Sequence, residues 1–294
     1  MNAFHPPILV APPEVATAFE SVCIAPDALE RLEHLTRTEE VEGLPLMSSA
    51  EWLNFSAGVR KVFAAHDHLI VRGLPVSDHG ATLLVAARVI GDRVRTYRGG
   101  QIIKHFKMSP WTTELSHTTR EGEFHTDLNT EPRPPAVTAM QCLDPDPGAP
   151  RYGLSRVARL ADLLAFLEEA KDIESLRFLT EETVTMLNDR AQSSWSGRVV
   201  EQGVVRYHPE TLRAAARRSG QHSAMLEERV AGVARAAMAI SEPFILERGD
   251  VLLLSNHRTL HYRGECSVVF KQYPMDFLSR SVFILHTAEE SKAL

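Results

Sequence analysis

Apolar residues at positions 52, 55, 59 and 62/63 recur every three or four residues after Ser48-Ser49, which predicts a helix over 48–65. Residues 27–36 and the Ala/Leu-rich stretch 81–90, ending near Gly91, predict two more. Between them, His68-Leu-Ile-Val-Arg-Gly-Leu-Pro75 reads as a buried strand stopped by Gly73 and Pro75. Pro6, Pro7, Pro12 and Pro13 predict an extended start. From Tyr97 the pattern changes to short apolar runs between turn residues: 101–106, 123–126, 136–143, 154–158, 204–207, 244–246, 250–255, 268–272 and 277–285. Asp144-Pro-Asp-Pro-Gly-Ala-Pro150 is a strong turn. Residues 160–190 and 211–240 return to helical spacing, with Leu163, Leu164 and Leu167 in the first and Val230, Val233 and Ala237 in the second.

Many short strands with helices at the start and in one insertion predict a mainly β, α+β fold, a sandwich or barrel with helices on one face. No GxGxxG or GxxxxGK[ST] is present, which argues against a nucleotide-binding βαβ fold. The expected organisation is one domain over 1–294. Helices and a first core strand occupy 1–95, and core strands occupy 97–158 and 204–285. A mostly helical insertion spans 160–240. Within it, 180–198 is expected to be a helical lid that excludes water.

A net charge of −6 gives no reason to expect nucleic-acid binding, which needs clustered Lys and Arg. Cys23, Cys142 and Cys266 are widely spaced and odd in number, so reduced thiols in a cytoplasmic protein are expected. The first residues lack a basic segment followed by an apolar stretch, and no apolar run approaches the roughly 20 residues that cross a bilayer. The expected partner is a small-molecule substrate, with neither nucleic acid nor membrane.

Candidate chemistry lies in Glu123-Phe-His-Thr-Asp127. Side chains two apart in a strand share a face, so His125 and Asp127 can meet one ion while Thr126 points away. A third ligand has to come from a distant element. His257 and His261, after the run Gly249-Asp-Val-Leu-Leu-Leu-Ser-Asn256, are the candidates. Two imidazoles and one carboxylate on one face of an octahedral metal, with the opposite positions open, are the ligand set of non-haem Fe(II) oxygenases.

Residues 116–147, with Glu123-Phe-His-Thr-Asp127 followed by Pro134-Pro-Ala-Val-Thr-Ala-Met-Gln-Cys-Leu-Asp-Pro-Asp-Pro147, resemble the clavaminate synthase-like and taurine dioxygenase-like Fe(II)/2-oxoglutarate oxygenases. Leu69-Ile-Val-Arg-Gly-Leu-Pro75 resembles the first core strand of that family, so the likeness spans most of 68–285. It implies a double-stranded β-helix (jelly-roll) core and Fe(II) as metal, with 2-oxoglutarate as cosubstrate and O2 as oxidant. The implied reaction is hydroxylation, or another oxidation, of an aliphatic C–H bond in a small polar molecule such as an amino acid or its derivative. The family spaces its distal histidine five residues after the Asn of the Gly-Asp segment, which selects His261 over His257.

The family's Arg-x-x-x-Arg, whose first Arg binds 2-oxoglutarate, is not reproduced. Asp276 aligns with the first position and Arg280 with the second. Either a register shift lets Arg280 bind the cosubstrate, or Lys271, Arg263 or Arg258 does so, or the cosubstrate is not 2-oxoglutarate. Ser155 aligns with the hydroxyl that assists there, and Gln101, Lys104 and Arg206 align with substrate-contacting regions. Two other classes stay open: a cupin-like metal-dependent hydrolase or isomerase, and a non-catalytic small-molecule binder on the same fold.

Overall fold

The computed structural model describes residues 6–37, 45–91, 93–97, 99–114, 116–220 and 223–288. The expectation of no leader sequence rests partly on residues 1–5, which lie outside that set.

The amino-terminal part contains β1 (Ile8–Val10), α1 (Pro13–Cys23), α2 (Ala28–Arg37), α3 (Ala50–His66), β2 (His68–Arg72) and α4 (Ala81–Ala87). Next come β3 (Lys104–Lys107), β4 (Gly122–His125), β5 (Val137–Asp144) and β6 (Ser155–Arg159). The insertion holds α5 (Leu160–Glu169), α6 (Ile173–Thr180), β7 (Thr183–Asn188), β8 (Ser193–Arg198), β9 (Val200–Glu201), β10 (Val204–Val205), α7 (Pro209–Arg218) and α8 (Ala224–Ile240). The chain closes with β11 (Val251–Ser255), β12 (Thr259–Arg263), β13 (Val268–Gln272), β14 (Asp276–Ser279) and β15 (Ser281–Thr287).

Helices and sheets are mixed. A six-stranded sheet runs β1-β2-β11-β5-β15-β3, and a three-stranded sheet runs β4-β12-β6. β11 lies between β2 and β5 and is buried along its whole length. Its Val251 and Leu253 pack with α1, α3 and α4 on one side, whereas Leu252 and Leu254 pack with Val157 of the small sheet on the other. Burial on both faces explains the unbroken apolar run, and each such Leu contributes about 1.5–3 kcal/mol. The small sheet alternates likewise. Phe124, Ala158 and Leu260 face α5, α6 and α8, so their neighbours His125, Val157 and His261 face the large sheet. The interior between the two sheets is where the candidate ligands point.

Gly249, two residues before β11, has φ +90°, and a Cβ there would lie 2.7 Å from the Leu74 carbonyl oxygen, so that turn requires glycine. The Asp250 that follows is buried, and its carboxylate takes both Nε and Nη2 of Arg72 at 3.0 and 2.9 Å. The Gly-Asp pair therefore fastens β11 to β2.

Three expectations need correction. The stretch 180–198 is not a helical lid. It is the β7–β8 hairpin, in which Thr183 to Asn188 pair with Arg198 to Ser193. Thr183, Val184 and Thr185 are β-branched, and their strand preference outweighs the helical spacing of the residues before them. The strand expected over 277–285 is two strands, broken at Arg280. The extended start is limited to β1, and α1 follows at once with Pro13 in its first turn, where a missing N–H costs nothing.

Candidate metal centre

β4 and β12 are antiparallel with His261 directly opposite His125, which sets the two imidazole rings 4.2 Å apart between centroids. β4 ends at His125, so Asp127 lies in the turn just beyond the strand rather than within it. Thr126 does face away, and its hydroxyl accepts from the Tyr207 backbone N–H at 3.0 Å. Asn256, buried in the turn between β11 and β12, positions the Asp127 backbone. Its Oδ1 accepts from Asp127 N at 2.7 Å, and its Nδ2 donates to Asp127 O at 3.1 Å and to Pro135 O at 2.9 Å. One side chain thus joins the segment bearing His261 to the turn bearing Asp127.

The Asp127 carboxylate is asymmetric. Oδ2 accepts from Thr138 Oγ1 at 2.8 Å and from His286 Nε2 at 3.0 Å. Both donors come from one rung of the large sheet, where His286 of β15 pairs with Thr138 of β5. Tyr97 donates its hydroxyl to His286 Nδ1, which leaves the imidazole proton on Nε2, aimed at Asp127. Oδ1 lies 3.8 Å from His125 Nε2, and His261 Nε2 lies 3.6 Å from Oδ2. One ligand atom from each of His125, Asp127 and His261 falls within 4.8 Å of the others, a spacing that fits a metal ion.

His125 Nδ1 donates to the Glu123 carbonyl at 2.7 Å, which leaves Nε2 as the nitrogen nearest Asp127. Burial, reinforced by the facing His125, pushes His261 down to about 3, so it is neutral. Burial alone would raise the Asp127 carboxyl, but the proton that His286 donates to its Oδ2 holds it below the usual range. His261 Nδ1 is buried and has no partner among the described residues.

Arg280, at the break between β14 and β15, is buried. Its Nη1 donates to Gly153 O at 3.1 Å and its Nη2 to Ser155 Oγ at 3.0 Å. Among the described residues no carboxylate pairs with it. Ser155 lies two residues from Val157 on β6, and Val157 is opposite His261. Two strand residues span roughly 6.6 Å, which places the guanidinium about one small dicarboxylic acid away from the ligand level. Asp276 is exposed at the start of β14, away from this interior. Of the other cations, Lys271 is exposed, Arg258 pairs with Asp67, and Arg263 donates to the Thr118 and Arg120 carbonyls.

The remaining expected residues lie farther out. Lys104 sets its ammonium 4.1 Å from the centre of the Tyr97 ring, two contacts from Asp127. Arg206 stacks on Trp195 and donates to the Glu131 and Pro132 carbonyls, outside the ligand cluster. Gln101 is exposed, and its carbonyl accepts from Tyr97 N.

Sequence reasoning missed His286, Tyr97, Thr138 and His208, and it used Asn256 only as a register mark. The His208 ring lies 4.9 Å from His125, its Nδ1 has no partner, and burial pushes it down to about 3. No local motif marks any of them, because each is brought in by strand pairing or by the insertion.

Residues 31–268 match the family described as taurine catabolism dioxygenase TauD, TfdA family. The chain belongs to that family. No curated protein matches the chain, but solved structures of the same fold do. An asparagine oxygenase in complex with Fe(II), 3-hydroxyasparagine and succinate aligns at TM-score 0.62 and 15% identity, over 96% of this chain and 93% of its own. The non-heme iron oxygenase OrfP in complex with Fe and alpha-ketoglutaric acid aligns at 0.65 and 14%, over 97% and 94%. PvcB, an Fe, alpha-ketoglutarate dependent oxygenase from an isonitrile synthetic pathway, aligns at 0.55 and 14%, over 79% of each chain. This TauD/TfdA member therefore shares its fold with them along most or nearly all of its length.

Proposed function

We propose that this TauD/TfdA protein is a non-haem Fe(II)- and 2-oxoglutarate-dependent oxygenase that hydroxylates an aliphatic carbon of a small polar molecule, an amino acid or a derivative of one. The observation that carries the reading is Arg280, a buried guanidinium that forms no ion pair among the described residues, Asp146 acting on it only at longer range, one strand step from the level of His261. A buried cation without a counter-charge is costly, and a bound carboxylate removes that cost. Amino-acid derivatives as substrates rest on the likeness to the asparagine oxygenase and to OrfP, which was solved with (3S)-hydroxy-L-Arg.

In this reading His125 and His261 each offer a ring nitrogen and Asp127 its Oδ1 to Fe(II), while Thr138 and His286 hold the other oxygen so that the carboxylate binds through one atom. Arg280 and Ser155 take the far carboxylate of 2-oxoglutarate. Bound Fe(II) supplies O2 activation, with 2-oxoglutarate as the electron source. The flanking Leu252, Leu254 and Val157 keep water from the cosubstrate channel. Lys104 borders the substrate side through Tyr97. The two sheets form the jelly-roll core of a single oxygenase domain, with residues 160–240 as its insertion. Its three buried, reduced thiols suit a cytoplasmic protein.

Anaerobic titration of the Fe(II)-loaded protein with 2-oxoglutarate tests this. The expected result is a weak visible charge-transfer band that needs both components, and succinate formation on admitting air. Absence of both overturns the 2-oxoglutarate assignment.

A further inference from the structure

Away from the ligand cluster lies a cavity of about 760 Å³ that none of His125, Asp127, His261 or Arg280 lines. Five guanidiniums face it: Arg93, Arg95, Arg133, Arg198 and Arg206, with Trp195 at its side. Among the described residues Glu201 is the one acid that lines it, on a chain whose net charge is −6. The side chains of Arg93, Arg133 and Arg198 form no hydrogen bond or ion pair with any described residue. Arg95 pairs with Glu131 at 3.1 Å and also donates to the Arg133 carbonyl.

Arg206 donates only to carbonyls, Nη1 to Glu131 O at 2.8 Å and Nη2 to Pro132 O at 3.1 Å, and its plane is held 4.9 Å from the Trp195 ring. A guanidinium has five N–H donors, so three on Arg206 remain for a ligand in a fixed orientation. Like charges gathered this closely repel one another, and a bound polyanion relieves the repulsion. Arginine forks suit phosphate oxygens, which accept two parallel hydrogen bonds. Trp195, Pro132, Pro134 and Val204 add apolar wall, which suits a flat or apolar body attached to the anion.

We propose that this cavity is an anion site for a phosphate- or pyrophosphate-bearing small molecule, distinct from the metal and cosubstrate positions. The proposal stands apart from the oxygenase reading. It also has a physical route to the metal centre, because Arg206 and Arg95 grip the 131–133 backbone of the loop that begins at Asp127.

Isothermal titration of the metal-free full chain with inorganic pyrophosphate tests it, and leaving out iron avoids chelation as a source of heat. Saturable binding of one pyrophosphate per chain is expected, weakened at least tenfold by Arg133→Gln with Arg198→Gln. Both residues are exposed, so folding is expected to persist, and an unchanged thermal unfolding midpoint checks that. Arg177→Gln with Arg218→Gln changes net charge equally on other exposed surfaces and is expected to leave binding within twofold. No saturable heat overturns the site, as does equal weakening by both pairs, which would mean diffuse attraction only. An unchanged 2-oxoglutarate titration midpoint in the Arg133/Arg198 variant keeps this result separate from the oxygenase assignment.

Discussion

Arg280→Met is expected to damage cosubstrate binding while leaving the apo protein nearly as stable as before. The guanidinium is buried and gives two charged hydrogen bonds, to Gly153 O and Ser155 Oγ. Hydrogen bonds to charged groups are worth about 1.5–3 kcal/mol each, so roughly 3–6 kcal/mol is gained. Against this stands the desolvation of the charge, effectively several kcal/mol. The two nearly cancel, and Met fills similar volume, so the apo protein is expected to change by no more than about 2 kcal/mol in either direction. With 2-oxoglutarate the balance differs, because truncating one partner of a buried, hydrogen-bonded charge pair costs about 2–5 kcal/mol. At about 1.4 kcal/mol per tenfold, the 2-oxoglutarate dissociation constant is expected to rise by roughly 30- to 4,000-fold. The assays are the anaerobic charge-transfer titration and urea unfolding of the apo protein. Arg280→Lys keeps the charge but loses the fork and is expected to fall between. A variant that loses more than about 4 kcal/mol of apo stability yet binds 2-oxoglutarate normally would refute the reasoning and make Arg280 a structural residue.

Other expectations follow from the same contacts. Asn256→Ala removes three hydrogen bonds and leaves the Asp127 N–H and the Pro135 carbonyl without partners, so a loss of about 2–4 kcal/mol by urea unfolding and weaker Fe(II) binding are expected. His286→Phe removes one of the two donors to Asp127 Oδ2, leaving Thr138, and is expected to lower metal affinity about 10- to 100-fold with little change in 2-oxoglutarate affinity at saturating iron, read by competition with a chelator. His68, His208 and His261 sit neutral in the fold, with burial pushing them down to about 4, 3 and 3. Their folded values lie below the unfolded value of about 6.5, so the stability they confer is present above pH 6.5 and is lost as pH falls toward 3–4. Each is expected to cost at most about 2 kcal/mol between pH 7 and 5, seen as a falling apo unfolding midpoint. Burial raises Cys23 and Cys142 to about 12, so a thiol reagent at pH 8 is expected to label neither until denaturant is added.

The sequence by itself determined what is local. His125 and Asp127 are two residues apart, and the Gly-Asp turn, the apolar β11 run and Asn256 mark where the distal histidine stands. Turn chemistry and strand period act over a few residues, so such features leave a readable pattern. The helices α3 and α4 and strand β2 were legible for the same reason. Only the tertiary structure decided which of Asp276 and Arg280 is buried. The two are four apart, and nothing in the letters says that one is exposed on a hairpin and the other buried against Ser155. The same holds for His286 and Thr138, 148 residues apart in the chain yet on one rung of the large sheet, where they fix a single oxygen of Asp127. The cavity gathers arginines from 93 to 206, which no sequence window spans. Burial and cross-strand register are set by long-range pairing, so the chain carries them only once it has folded.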